Sequence, residues 1–335
     1  MTKPRRKARR PLPSAARVTL LAMVALGLVA AGCGASSPES EKAELTADAA
    51  DFPTPDGRTV EEIKAELGES ELVVIPAQQT FRKGTQRVGL GVFELDNTPV
   101  PDAEIALYAG PPGEPAAGPF PATARSLAPA APFRSQTTSG DPEAGEWVYT
   151  AEVDLRSKGE AQMLAVVDDA GELSATRIPG VVVDRFAEPP QVGEKAPVIN
   201  TPTPEDVGGN VSEIDTRQPP STLHEKDFAD VVGTEPAVLL FATPALCTSR
   251  VCGPVVDITE EVKAERPDDA AYILMEIFKD NNVEKGVREQ VKEYSLQTEP
   301  WLFVVDADGV VSTAIEGPFS KQELEEAIDK VAVGS

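Results

Sequence analysis

The chain has 335 residues, of which 31 are Lys or Arg and 55 are Asp or Glu, and its formal net charge is −24 at pH 7. This length allows two domains with additional terminal segments. An excess of acidic residues excludes binding to nucleic acid through phosphate contacts, which need a basic surface. It also predicts repulsion from anionic lipid headgroups unless the chain carries a covalent anchor.

The first 32 residues have the pattern of a secretory signal peptide and are excluded from the fold. Seven basic residues lie in this segment, and a stretch from Val18 to Ala31 is apolar except for Thr19 and Gly27. The stretch is too short to span a bilayer comfortably, but it has the length of the apolar region of a signal peptide. Without those seven positive charges, the net charge of −24 becomes −31.

The predicted signal peptide ends in Val29-Ala30-Ala31-Gly32, directly before Cys33. Small residues before a cysteine resemble the lipobox of bacterial lipoproteins, although Ala30 stands where leucine is usual. The resemblance implies that Cys33 is lipidated and anchors the protein to the outer side of the bacterial cell membrane. Two or more acyl chains hold a protein stably on a membrane. The alternative is an ordinary signal peptide that contains a cysteine.

Once Cys33 is set aside, Cys247 and Cys252 are the remaining cysteines. An exported location permits disulfide bonds, so this pair is expected to be oxidised at least part of the time. Residues 33–69 are predicted to be a flexible acidic tether, because their runs of Ser, Pro, Glu and Asp lack a packing pattern. A short helix over 59–67 is compatible with that segment.

Residues 70–186 are predicted to form an all-β domain. Apolar residues alternate with polar ones around Leu90 and around Tyr149, and about seven short strands separated by turns favour a β-sandwich. The layout resembles the immunoglobulin-like modules of exported bacterial proteins. This domain carries no constellation of catalytic residue types, so we expect it to be a spacer or an interaction module.

Residues 187–222 are rich in Pro and Gly and are predicted to be a linker that also begins the next domain. Within them, the segment 192–197 reads Val-Gly-Glu-Lys-Ala-Pro. This phrase resembles the opening of thioredoxin-like redoxin domains, a group that includes membrane-tethered thiol-disulfide proteins and peroxiredoxins.

Residues 223–335 alternate between strand and helix patterns. The predicted order is βα-βα-ββα, which is that of a thioredoxin fold. The expected fold class is therefore an immunoglobulin-like β-sandwich followed by an α/β thioredoxin-like domain. The predicted strands are 238–241, 272–278, 301–305 and 310–315, and the predicted helices start at Thr222, follow the cysteines as far as Arg266, span 283–294, and follow Ser320.

The cysteines lie where the first of these strands leads into a helix. Cys252, Gly253 and Pro254 match the first three residues of the thioredoxin motif Cys-Gly-Pro-Cys. A thiolate at a helix N-terminus is stabilised by free N–H groups and by the helix dipole. Val255 stands where the family has its second cysteine, so the partner must be Cys247. The resemblance implies that Cys252 attacks a disulfide and that Cys247 resolves the mixed disulfide.

A second mark of the family is Thr298-Glu299-Pro300, directly before a predicted strand. Thioredoxin-like proteins have a cis-proline here that faces the active cysteine, and the preceding residue pairs with the bound peptide. The resemblance implies a cis Pro300, with Thr298 and Glu299 as substrate contacts. The alternative is a trans-proline at a strand start. Glu276 is a candidate proton relay or, equally, a carboxylate at a strand edge.

Three functions remain open from the sequence. The first is a thiol-disulfide oxidoreductase that acts on exported proteins, and the second is a binding module with a structural Cys247–Cys252 disulfide. The third is a metal chaperone or a peroxidase. This third hypothesis is disfavoured because the single histidine, His224, lies upstream on a predicted solvated helix face, and the peroxiredoxin spacing places Val251 at the cysteine position. No cofactor and no metal site are predicted.

Overall fold

The computed structural model describes residues 44–186 and 189–332. All of these residues fall within one compact unit that begins at Lys42. The predicted signal peptide, the lipidated Cys33 and the tether as far as residue 43 lie outside the described residues. Within the described ranges, no helix has the length and apolar character needed to cross a membrane.

The first half of the described chain is mostly β-structure. Its elements are β1 (Leu45–Thr46), α1 (Val60–Leu67), β2 (Val73–Pro76), β3 (Gly84–Phe93), β4 (Glu104–Gly110), β5 (Ala117–Pro121), β6 (Thr123–Ser126), α2 (Gln136–Ser139), β7 (Trp147–Leu155), β8 (Gly159–Glu160), β9 (Gln162–Asp169), β10 (Glu172–Ile178) and β11 (Val182–Val183).

These strands form two large antiparallel sheets with the orders β1-β6-β7-β3-β2 and β10-β9-β4-β5, and β11 pairs separately with β8. Side chains from both sheets share one apolar core, in which Leu90 and Tyr149 of the first sheet pack with Leu107 and Ala165 of the second. The predicted two-layer β-structure, here called the sandwich, is therefore present. Its immunoglobulin-like strand arrangement stays a prediction.

Residues from 44 to 69 pack against the sandwich, so the predicted flexible tether is wrong over this part. Phe52, Val60 and Ile63 are buried against Tyr108 and Leu164, which lie on the outer face of the second sheet. Strands that are covered on both faces carry continuous apolar runs, as β4 and β9 do. The few apolar residues of the 44–69 segment complete that second covering layer.

The second half has the predicted α/β order. Its elements are α3 (Phe228–Val231), β12 (Ala237–Phe241), α4 (Cys252–Glu265), β13 (Ala271–Met275), α5 (Glu289–Glu293), β14 (Trp301–Val305), β15 (Val311–Glu316) and α6 (Lys321–Ala332).

These elements form a four-stranded sheet with helices on both faces. The strand order is β13-β12-β14-β15; β12 is parallel to β13 and antiparallel to β14. Ile258 of α4 and Ile328 of α6 pack on one face, and Phe228 of α3 and Val291 of α5 pack on the other. We call residues 189–332 the α/β half.

Two predicted helices differ in the structure. No helix starts at Thr222, whose N–H and hydroxyl instead donate to Glu260; α3 begins later, where the Asp227 carboxylate accepts the N–H of Ala229. The predicted helix over 283–294 is interrupted by Gly286, which has a φ of 74°. That conformation is left-handed and ends a right-handed helix.

Candidate functional site

The two cysteines meet at the start of α4. Cys252 is the first residue of the helix, and Cys247 lies in the turn that connects it to β12. The Cys247 N–H donates to the Thr243 carbonyl at 3.1 Å, and the Cys247 carbonyl accepts the Arg250 N–H at 3.4 Å. These bonds fold the turn back on itself, so that the two free thiols are hydrogen bonded to each other.

The Cys247 sulfur lies among hydrogen-bond donors. The Cys252 thiol, the Ser249 hydroxyl at 3.1 Å and the backbone N–H groups of Cys252 and Val251 all stabilise its charged form, and they lower the Cys247 pKa to about 6 against the opposing effect of burial. Val251, the N-cap residue of α4, has no capping side chain. The sulfur therefore fills the place of a capping acceptor at the positive end of the helix.

Cys252 has the opposite environment. Its residue is 0% exposed, compared with 6% for Cys247. Burial raises the pKa of the Cys252 thiol well above its usual value, and its hydrogen bond to Cys247 and the Cys247 charge act in the same direction. Both pKa directions favour a charge on Cys247 over one on Cys252. The predicted roles, in which Cys252 attacks, stay a prediction.

Of the predicted substrate contacts, Glu299 lies near the thiols, whereas the Thr298 side chain does not interact with them. The Glu299–Pro300 peptide is cis, as predicted. Burial and the nearby charge of Cys247 raise the pKa of Glu299 to about 7, so this carboxyl belongs to the thiol site. The Thr298 hydroxyl is engaged elsewhere, because it donates to Glu316 at 2.5 Å and accepts the Trp301 indole N–H at 3.1 Å.

Gly253 and Pro254, the predicted supporting residues, are buried in the first turn of α4. A Cβ atom on Gly253 would lie 2.8 Å from the Thr138 hydroxyl oxygen, closer than such contacts occur. Thr138 belongs to α2 of the sandwich. The glycine of the motif is therefore required by contact with the sandwich, and no local motif in the sequence indicates that contact.

A buried polar cluster behind α4 was missed by sequence reasoning. Arg217 donates to Asp257 at 2.7 Å, and Asp215 accepts the Ser221 hydroxyl at 2.6 Å and lies 3.3 Å from His224 Nε2. His224 is 2% exposed, so the prediction of a solvated histidine is wrong. Burial acts to raise the pKa of Asp215, but its bonds to His224 and Ser221 outweigh that effect and lower it.

Glu276 lies on the Cys252 side of this cluster. Its carboxylate accepts the N–H and the hydroxyl of Thr216, both at 2.7 Å, while burial raises its pKa. Thr243 lies near both groups, since its backbone acts on the Cys252 sulfur and its hydroxyl acts on the Glu276 carboxyl. Among the described residues, the Thr243 hydroxyl and Glu276 Oε2 have no hydrogen-bond partner, so both interpretations of Glu276 stay predictions.

A cleft of about 410 Å³ lies between the sandwich and the four-stranded α/β sheet, next to the residue that follows the cis-proline. Trp301 and Glu316 line the cleft from the sheet, and Gln78, Arg82 and Arg87 line it from the sandwich. No group of three or more His, Cys, Asp or Glu side chains suited to a metal ion occurs among residues 44–186 and 189–332.

No protein-family model matches the chain, and no curated protein matches it. Solved structures that resemble it include a crystal structure from Chlorobium tepidum described as a thiol:disulfide interchange protein, DsbE. That chain is 14% identical, with a TM-score of 0.29, and the match covers 43% of this chain and 99% of the other. A likeness of this size does not carry a function from one protein to the other.

Proposed function

We propose that the protein is an extracytoplasmic thiol-disulfide oxidoreductase in which Cys247 attacks and Cys252 resolves. One observation carries the proposal: the Cys247 sulfur lies 3.1 Å from the Ser249 hydroxyl at the uncapped N-terminus of α4, where its pKa is lowered, while Cys252 is fully buried. The attacking group in thiol-disulfide exchange is the thiolate, and a pKa near the ambient pH is the best compromise between ionisation and nucleophilicity.

The reaction begins when the Cys247 thiolate attacks one sulfur of a substrate disulfide. A mixed disulfide forms, and the other substrate sulfur leaves as a thiolate. Cys252 then loses its proton and attacks the Cys247 sulfur, which forms the Cys247–Cys252 disulfide and releases the second substrate thiolate. Two electrons pass from the protein dithiol to the substrate disulfide, and the reverse sequence oxidises a substrate dithiol.

Glu276 and Glu299 are the proposed partners for the Cys252 proton. Glu276 lies beside Thr243, and burial raises its pKa, which makes its carboxylate a better proton acceptor. Glu299, with a pKa of about 7, acts on both sulfurs through its charge. In this proposal Glu276 serves Cys252, and Glu299 with Pro300 and Thr298 forms the wall against which a substrate segment lies.

The proposed substrates are exported proteins that carry thiols or disulfides. The N-terminal pattern supports export, with a lipid on Cys33 as the anchor to the cell membrane. Metabolic labelling with palmitate tests the anchor: label is expected in the wild type and not in Cys33→Ser. Label in both proteins, or in neither, removes the anchor from the proposal without affecting the thiol chemistry.

Trapping separates the roles of the two cysteines. We expect Cys252→Ser to accumulate a mixed disulfide with glutathione disulfide or with insulin, because the attacking thiol remains and the resolving thiol is gone. Cys247→Ser is expected to accumulate at least tenfold less, since Cys252 is buried and protonated at pH 7. Intact mass after acid quenching measures both.

Two outcomes contradict the proposal. A mixed disulfide that forms only in Cys247→Ser restores the role order predicted from the family motif. No mixed disulfide in either variant, together with a Cys247–Cys252 bond in the wild type that resists mild thiols, leaves the binding module with a structural disulfide. The full-length wild type, treated identically, controls for the folding of both variants.

A further inference from the structure

The sandwich covers the start of α4 through residues 127–146, which connect β6 to β7 and which we call the β6–β7 connection. The Ser135 N–H donates to Asp257 of α4 at 2.9 Å, and the Ala130 N–H donates to Glu261 at 2.7 Å. Leu127 belongs to the same buried apolar core as the two cysteines. The sandwich is therefore in direct contact with the thiol site and is not a distant spacer.

One peptide group links this connection to the Cys247 sulfur. The Gly145 N–H donates to the Arg250 carbonyl at 3.0 Å, and the N–H of the same peptide unit, which belongs to Val251, is one of the groups that lower the Cys247 pKa. Because a peptide unit is planar, fixing its carbonyl also fixes the direction of its N–H. A bond to the carbonyl also polarises the N–H and strengthens its own hydrogen bond.

We propose that Gly145 is a positioning residue for the Cys247 thiolate, which it orients and stabilises through the Arg250–Val251 peptide. The assignment rests on the proposed attacking role of Cys247. It makes the sandwich a working part of the thiol site, because a residue about a hundred positions upstream in the chain sets the reactivity of the nucleophile.

Two further observations support this assignment. A Cβ atom on Gly145 would lie 2.7 Å from Val251 Cγ1, so that glycine allows the close approach of the two segments. Arg250 has a φ of 60°, an uncommon conformation for a residue with a side chain, and its guanidinium is held by Asp141 of the same connection at 3.0 Å. The β6–β7 connection thus bonds both to the backbone and to the side chain of Arg250.

The main test is the pH profile of iodoacetamide alkylation at Cys247 in the reduced full-length protein, read by mass on the Cys247 peptide. Gly145→Ala pushes Val251 away and withdraws its N–H from the sulfur. We expect the alkylation midpoint to rise from about 6 by a few tenths of a pH unit, because the Val251 N–H is the weakest of the interactions that lower the Cys247 pKa. At pH 6 the thiolate fraction then falls about twofold.

A rescue variant separates displacement from general damage. Val251→Ala removes the Cγ1 atom that the new methyl group would meet but keeps the backbone N–H. The double variant Gly145→Ala/Val251→Ala is therefore expected to show the midpoint of its reference, Val251→Ala. A structural defect caused by alanine at position 145 would not be repaired in this way.

A surface variant keeps the test decisive if Gly145→Ala does not fold. Asp141→Ala releases the Arg250 side chain and is expected to lower alkylation at pH 6 about twofold. Asp154→Ala is the matched control, because Asp154 forms an exposed ion pair with Arg156 elsewhere on the sandwich. Circular dichroism confirms that each variant is folded.

The inference is overturned if folded Gly145→Ala keeps the wild-type midpoint, or, where that variant does not fold, if Asp141→Ala behaves like Asp154→Ala. Its failure is distinct from failure of the proposed function, since alkylation needs no disulfide substrate. If the alkylation midpoints shift as expected but no mixed disulfide forms with glutathione disulfide, the positioning role of Gly145 stands and the oxidoreductase function is rejected.

Discussion

Two of the contacts between the sandwich and the α/β half are built differently. At the start of α6 the contact is ionic: Arg87 donates to Glu323 at 2.7 Å, and Arg125 lies 3.9 Å from the same carboxylate. At the start of α4 the contact uses backbone hydrogen bonds and the absence of side chains at Gly145 and Gly253. Ion pairs hold over a range of distances, whereas a backbone bond beside a glycine fixes position closely. We infer that the α6 contact supplies stability and the α4 contact shapes the thiol site.

The largest expected effect lies at the α6 contact. Glu323→Ala leaves Arg87 partly buried without its partner, and breaking such a pair costs about 3–5 kcal/mol. The Glu323 side chain is 9% exposed, so little solvent screening reduces this figure. Urea unfolding is expected to show this loss, while the alkylation midpoint of Cys247 stays at its wild-type value.

Glu326→Ala is the matched control, because Glu326 is an exposed residue on the same helix. It is expected to change the free energy of unfolding by less than about 0.5 kcal/mol. A raised alkylation midpoint of Cys247 in Glu323→Ala would show that the α6 contact also affects the thiol site.

Asp257→Asn is expected to change both the free energy of unfolding and the alkylation midpoint of Cys247. Asp257 pairs with buried Arg217 and accepts the N–H of Ser135 from the β6–β7 connection. Asparagine keeps an acceptor oxygen but loses the charge, so we expect a loss of about 2 kcal/mol. Weakening the bond between Ser135 and Asp257 loosens the β6–β7 connection, so we also expect the alkylation midpoint of Cys247 to rise. An unchanged midpoint would show that this hydrogen bond is not needed at the thiol site.

The α6 contact also predicts a dependence on pH. Burial acts to raise the pKa of Glu323, but the Arg87 charge and hydrogen bond, the Ser320 N–H and Arg125 outweigh it, and the pKa is lowered from 4.5. A carboxyl with a lowered folded-state pKa stabilises the protein above its unfolded pKa, and this contribution is lost as the pH falls. The stability difference between the wild type and Glu323→Gln is therefore expected to shrink below about pH 4.5. A constant difference down to pH 3 would contradict the shift.

Local signals in the sequence were sufficient for part of this architecture. The apolar run before the cysteines predicted a strand and the Cys252-Gly253-Pro254 phrase predicted a helix start, while the family resemblance at Thr298-Glu299-Pro300 implied a cis peptide bond. The structure has all three. The strand and the helix start are read from neighbours within a few residues.

The features that sequence reasoning missed depend on contacts between distant segments. Which cysteine carries the charge depends on which sulfur the turn directs toward the N–H groups and which one the core buries. The burial of His224 depends on Asp215, which lies in a Pro- and Gly-rich stretch that resembled a linker. The contact between Gly145 and Arg250 joins two segments with no shared motif.

The smallest expected effect is at Glu299. The charges of Glu299 and Cys247 oppose each other, which is one reason the Glu299 pKa is about 7. A carboxyl with this pKa is mostly protonated at pH 5.5, so we expect Glu299→Gln to leave alkylation of Cys247 at that pH within about 1.5-fold of the wild type. Glu289→Gln, at an exposed carboxylate paired with two lysines, controls for the change in net charge. A rise of about twofold or more in Glu299→Gln alone would show that Glu299 is ionised at pH 5.5 and would contradict its raised pKa.

We propose that the nucleophile is Cys247 and not Cys252. Alkylation of the reduced wild-type protein between pH 4 and pH 10, with each cysteine measured separately by mass, distinguishes the two. We expect Cys247 to react with a midpoint near pH 6 and Cys252 to stay unmodified across the range while the protein is folded. Modification of Cys252 at a lower pH or at a higher rate than Cys247 would show that the nucleophile is Cys252.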